Sequence, residues 1–233
     1  MKHPALRGSA RLTAPAPWDW RAEESSCIIR LPETYSVLGW APFNGGARRA
    51  TAIVNHQIET GDRFATEHPD AYLRTIIERL GLKARNSVAM MTGVDIHRTA
   101  YASARRGDFL VGAWCTAGCS NALRIGDPAS VDPILPGTIN LVLAVNQSLL
   151  PSAMAEALAM TTEARVLAVC EAGVSSTRSG RPATGTGTDC IVVASPARAP
   201  SHRFCGKHTV IGELIGNSAP RACGKALRRR GSQ

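Results

Sequence analysis

The stretch Ala183-Thr184-Gly185-Thr186-Gly187-Thr188-Asp189 gathers hydroxyls, glycines and one carboxylate into a single turn, directly ahead of the apolar run Cys190–Ala194. Glycine lets a backbone approach a ligand closely. Threonine hydroxyls both donate and accept hydrogen bonds. A carboxylate at the mouth of a buried strand is a candidate acid or base. The same composition also suits a plain polar turn leading into a strand. A second segment follows, Gly206-Lys207-His208-Thr209, with Gly212-Glu213-Leu214-Ile215-Gly216 beyond it. His208 falls at the start of a predicted helix, where the helix dipole lowers its proton affinity and leaves a neutral imidazole suited to general-base work. A histidine that merely bonds at a helix start is the simpler alternative. Glu213 lies five residues on, off the same face.

Other patterns are less specific. Cys115 and Cys119 are spaced by three residues, but no second pair follows to complete a zinc site. Ser120 and Asn121 either contact amide groups of a ligand or cap a helix. Pro136-Gly137-Thr138-Ile139-Asn140 repeats the Gly-Thr theme ahead of a strand and reads equally as an ordinary turn. Asn55, with His56 beside it, and Asn146 stand at matching strand ends, where asparagines also commonly cap turns. No nucleophile elbow, Walker loop, metalloprotease helix or dinucleotide fingerprint is present.

These residues need elements to hold them. Apolar and β-branched runs predict strands at 27–31, ended by Pro32, and at 51–58, 87–92, 109–116, 139–146, 166–170 and 189–194. Pro69 opens a helix whose Leu73, Ile76, Ile77 and Leu80 share one face, with Gly81 to stop it. Pro151 opens another, with Met154, Leu158 and Thr161 on one face. The last helix spans 209–218 and ends at Pro220. The order strand, helix, strand, Gly-Val, strand recurs in the two halves. It predicts an α+β single domain: mixed β-sheet flanked by helices, built as a duplicated β-α-β-β unit over 27–220. A loose N-terminal arm (1–26) and a basic C-terminal tail (221–233) flank it.

The 233 residues are 44% hydrophobic, enough for a sizeable core. No apolar run reaches the roughly 18 residues of a membrane span, and no secretory leader is evident. The cysteines, seven and so an odd number, are scattered, as in a reduced cytoplasmic protein. The net charge of +9 is concentrated in the tail (Lys225, Arg228, Arg229, Arg230) and in the pairs Arg48-Arg49 and Arg105-Arg106. Only 5% of residues are aromatic, and no basic helix interleaves with stacking residues, so no nucleic-acid or membrane partner is expected.

Taken together, several segments resemble the adenosylcobinamide amidohydrolase (CbiZ) family. They are Asn44-Gly45-Gly46 with Val54-Asn55-His56; Thr116 to Ala122 with Gly126-Asp127; Gly137-Thr138-Ile139-Asn140 with Val145-Asn146; Thr184 to Asp189; and the His208 and Glu213 segments. The resemblance covers about residues 27–218. It implies a cobalamin-salvage enzyme that hydrolyses the amide between aminopropanol and the corrin ring of adenosylcobinamide, releasing adenosylcobyric acid. Chemistry then assigns expected roles. Asp189 and His208 share the base and acid work on a water, and backbone N–H groups of Gly185 to Thr188 polarise the carbonyl. Asn55, His56, Ser120, Asn121, Asn146, Thr184, Gly185, Thr186 and Gly187 hold the corrinoid's amides. A Thr186 or Thr188 nucleophile is an alternative, and a divalent cation on Asp189, His208 and Glu213 is a third. The reading requires no cofactor or resident metal, takes a corrinoid small molecule as partner, and leaves a homo-oligomer open. Its competitors are a corrinoid carrier or sensor without chemistry, and a phosphate-handling enzyme using the Gly-Thr loop as an anion nest.

Overall fold

The protein is described by a computed structural model that covers residues 16–129 and 137–229. Pro136, Arg230 and the first fifteen residues lie outside them.

Strand β1 (Asp19–Glu23) pairs with β2 (Ser26–Gly39), which pairs antiparallel with β3 (Gly46–Gln57). Helices α1 (Arg63–Glu67) and α2 (Pro69–Arg79) follow, then β4 (Ser87–Thr92), parallel to β3. The antiparallel hairpin of β5 (Ala100–Arg106) and β6 (Phe109–Ala117) leads to the short β7 (Ala122–Leu123) and to β8 (Ile139–Val145). Helix α3 (Pro151–Glu171), the short β9 (Gly185–Thr186), β10 (Cys190–Pro196) and α4 (Val210–Arg228) complete the chain. The main sheet runs β4-β3-β2-β10-β8-β6-β5, and β8 and β10 are parallel in it. This is the expected mixed sheet flanked by helices in an α+β domain.

Three apolar clusters set the layers. Helices α3 and α4 cover one face of β5, β6, β8 and β10. The sheet curls, so that Ile53, Val88 and Met90 of β3 and β4 meet Trp114, Val142 and Val192 from the other strands. Helix α2 seats Leu73 and Ile77 on Val54 and Ala89, on the outer side of β3 and β4. Each fully buried aliphatic side chain contributes roughly 1.5–3 kcal/mol, so the contact faces rather than helix propensity hold α2 and α4 in place.

Several elements differ from expectation. Residues 166–170 are the end of α3, not a strand. Val169 packs into the helical core while Leu167 is half exposed, a helical rather than a two-residue repeat. The second half therefore holds strand-helix-strand (β8-α3-β10), and the duplicated β-α-β-β unit is not formed. Pro32 does not end β2; it sits where the pairing with β3 slips between Arg30 and Tyr35, a place that tolerates a missing donor. Pro220 lies inside α4. The helix passes through it because Ala219, Ala222, Cys223, Ala226 and Leu227 all bury against the core. Of the expected loose arm, residues 19–23 form β1 and Trp18 is buried, its indole N–H donating to Tyr35. Of the expected tail, residues up to Arg228 are helical.

Candidate active site

A cleft of about 880 Å³ opens beside the edge strand β4. It is lined by Trp40 and Pro42 after β2, Ile58 to Gly61 after β3, and Met91 to Gly93 at the end of β4. Gly137 and Thr138 ahead of β8, and Gly187, Thr188, Asp189 and Cys190 ahead of β10, complete the lining. The parallel register of β8 and β10, with Asn140 opposite Cys190, brings these two lead-in segments together. Among the described residues lining the cleft there is no lysine, arginine or histidine. That weighs against the phosphate-handling reading.

Asp189 is the pin of the Gly-Thr turn. Its carboxylate accepts from the backbone N–H of Ile139 (3.0 Å) and of Thr186 (2.9 Å), and from the Thr186 hydroxyl. Its fourth partner is Arg165 of α3, at 2.8 Å, and its side chain is 6% exposed. A carboxylate has about four lone-pair sites, and all four are spent on the protein. Asp189 therefore holds the turn and has no site left for a water, contrary to the acid–base role expected of it. Gly185 is required by this arrangement: a Cβ there would lie 2.3 Å from Asp189 Oδ2.

The pin presents Thr188 to the cleft. Its hydroxyl donates to Gly137 O (2.8 Å), so the Thr138 hydroxyl, also at 2.8 Å, donates to it. The backbone N–H groups of Gly187 and Thr188 meet no protein acceptor among the described residues. Asn121 sits directly behind the two glycines. A Cβ on Gly137 would come within 2.5 Å of its Oδ1, and one on Gly187 within 3.7 Å of its Nδ2. Asn121 is buried with neither end of its amide bonded. Ser120 lies beside it, its Oγ 2.8 Å from the same Gly137 Cβ position. Asn55 belongs to a buried chain between the curled parts of the sheet. It donates to Thr116 (3.0 Å) and accepts from Asn140 (2.7 Å), which also reaches Met91 O.

Other expected residues stand elsewhere. Thr184, Gly185 and Thr186 line a separate cavity with Arg124 and Arg165, across Asp189 from the cleft. His56 alternates with Asn55 along β3 and so points outward to α2, bonded to Ser26 (2.8 Å) and Tyr72 (3.2 Å). Burial, helped by the Arg79 charge, pushes its pKa down to about 4. Asn146 follows the far end of β8, about 26 Å of strand from Thr138, and ties down the β5–β6 turn through Leu110 N and Asp108 O. Glu213 pairs with Arg106 at that same turn, and His208 lies five residues before Glu213, just ahead of α4. Asp189, His208 and Glu213 thus fail to converge, and among the described residues no group of three His, Cys, Asp or Glu side chains is placed to hold a metal. Cys190 lines the cleft, but burial, with the Asp189 charge adding, pushes its thiol up to about 12. It stays protonated at neutral pH and is no ready nucleophile.

Glu59, Thr138 and Trp40 were not singled out as site residues from sequence. Glu59 and Trp40 are lone loop residues with no spacing signal. Thr138 carried one, the Gly-Thr pair ahead of a strand.

The sequence profile of the adenosylcobinamide amidohydrolase family matches residues 16–233. The chain belongs to the adenosylcobinamide amidohydrolase family. An uncharacterized protein of Methanocaldococcus jannaschii is 31% identical over 224 residues, covering 88% of this chain and 86% of the relative. The adenosylcobinamide amidohydrolase of Methanosarcina mazei is 29% identical over 152 residues, 65% of this chain and 66% of that protein. Among solved structures, a Pyrococcus horikoshii protein aligns with TM-score 0.44 at 10% identity, over 87% of this chain and 77% of its own. An Ochrobactrum anthropi L-aminopeptidase D-Ala-esterase/amidase, described as a variant of the Ntn hydrolase fold, aligns with TM-score 0.42 at 13% identity, over 86% and 76%. Membership in this family points to an amidohydrolase. Among the described residues no helix is long and apolar enough to cross a membrane.

Proposed function

We propose that the protein hydrolyses the amide joining aminopropanol to the corrin ring of adenosylcobinamide, yielding adenosylcobyric acid and aminopropanol for cobamide salvage. The observation that carries this reading is the pinned turn at the cleft. It offers two consecutive backbone N–H groups, those of Gly187 and Thr188, to a carbonyl oxygen, in a cleft whose described residues carry no cationic side chain. The name of the Methanosarcina mazei relative supports the substrate.

Asp189 keeps the Gly187 and Thr188 N–H groups fixed before substrate arrives, which is how preorganised donors stabilise a developing oxyanion. Glu59 is the cleft carboxylate with no ion pair or side-chain hydrogen bond among the described residues. It takes a proton from the attacking water as the water oxygen bonds to the carbonyl carbon. The same carboxyl then gives that proton to the nitrogen as the C–N bond breaks. The hydroxyls of Thr60, Thr66, Thr92 and Thr138 are suited to the amides around the corrin rim.

Mass spectrometry of adenosylcobinamide incubated with the protein, with and without chelator, tests the reading. The expected product is adenosylcobyric acid with free aminopropanol in both conditions. Recovery of intact, protein-bound corrinoid would instead make the protein a carrier or sensor.

A further inference from the structure

Trp40 is a half-exposed aromatic side chain (47%) on the wall of the cleft. Its indole N–H donates to the backbone oxygen of Asp189 at 2.6 Å, across 149 residues of chain. The ring has no other polar atom, so it can offer a ligand only its face. It is also held still. Gly39, the residue before it, is pressed so closely on β10 that a Cβ would lie 2.3 Å from Ile191 O. Trp18, Trp20 and Trp114 all lie in ring-to-ring contacts, whereas among the described residues Trp40 has neither an aromatic nor a cationic partner on its ring. Pro42, Ile58 and Met91 add apolar surface to the same cleft, which the hydroxyls of Thr138 and Thr188 also line.

We infer that Trp40 is a stacking platform that binds a flat conjugated ring, its face set at a fixed position relative to the Gly187–Thr188 donors. This rests on the proposed corrinoid substrate and deepens it. An adenosylated corrinoid carries two such surfaces, the corrin macrocycle and the adenine of its upper ligand. A fixed aromatic face binds such a surface without the entropy cost of ordering a mobile side chain. Because the platform and the turn share the Asp189 backbone, a ligand stacked on the ring is placed in register with the donors that polarise its amide.

Equilibrium dialysis with full-length wild type, Trp40→Ala and Trp40→Phe tests this, using adenosylcobinamide and, separately, dicyanocobinamide, together with KM and kcat for aminopropanol release. Alanine should weaken corrinoid binding roughly tenfold or more, the usual scale for removing one aromatic stacking partner. It should raise KM more than it lowers kcat. Phenylalanine, which keeps a ring but not the N–H, should stay within about threefold of wild type, well short of the effect of losing the ring. A loss on both corrinoids assigns the contact to the macrocycle, and a loss confined to adenosylcobinamide assigns it to adenine. Unchanged binding in Trp40→Ala, or equal damage in both variants, would overturn the inference while leaving the hydrolase reading intact. A wild type that binds corrinoid through Trp40 but releases no aminopropanol would overturn that reading alone. A wild type that binds neither corrinoid would overturn both.

Discussion

Arg165 of α3 and Asp189 of the Gly-Thr turn form a buried ion pair at 2.8 Å, with side chains 13% and 6% exposed. It links a helix on one face of the sheet to the turn that walls the cleft. Removing one partner leaves the other charge buried and unmatched, at a cost of about 3–5 kcal/mol. Asp189→Asn should therefore lower the melting temperature by about 10 °C, given 2–4 °C per kcal/mol for a domain of this size. Thermal unfolding followed by circular dichroism checks this. A variant that melts like wild type yet is inactive would return Asp189 to a role in the chemistry.

His208→Ala and Glu213→Gln should leave aminopropanol release within about threefold of wild type, far less than the loss of an acid–base group. Both residues lie toward the β5–β6 turn, a strand length from Thr188. The Arg106–Glu213 pair is exposed, and such pairs contribute about 0–1 kcal/mol. Steady-state rates on the purified variants decide. A hundredfold loss in His208→Ala would mean that the loop ahead of α4 reaches the substrate after all.

His56 predicts a pH effect on stability rather than on catalysis. Its pKa is about 4 in the fold against 6.5 ordinarily. Between those values the unfolded chain binds a proton that the folded chain does not, so stability falls as pH drops from 6.5 toward 4. Above pH 6.5 the contribution is fully present. The loss is on the order of 3 kcal/mol. Urea unfolding across this window should show the slope in wild type and a shallower one in His56→Gln. Identical slopes would contradict the buried neutral imidazole.

Much of this arrangement was legible in the residues. Helix α2 showed its Leu73, Ile76 and Ile77 face between Pro69 and Gly81, and β4, β6, β8 and β10 were visible as short apolar runs. Strand β5 was not, because its Ala-Tyr-Ala-Ser-Ala pattern has little strand preference of its own and is held by pairing with β6. The Val166–Cys170 run misled for the converse reason, since local β-branching yielded to an alanine-rich helix packed on the sheet. At the candidate site, the composition of the 183–189 turn singled out a segment whose last residues, Gly187 to Asp189, line the cleft. The role of Asp189 was hidden, because two of its partners, Ile139 and Arg165, come from 50 and 24 residues away in sequence. Strand alternation at Asn55 and His56 was readable, but which face looks between the layers depended on how the sheet curls.

The most direct test is the rate of aminopropanol release from adenosylcobinamide by wild type and Glu59→Gln, with folding checked on the same samples. Glu59 is exposed, so the substitution should change stability by less than about 0.5 kcal/mol. Turnover should fall at least about a hundredfold, the usual contribution of an acid–base group. A Glu59→Gln variant that releases aminopropanol as fast as wild type would contradict water activation by this carboxylate and the chemistry placed in the cleft.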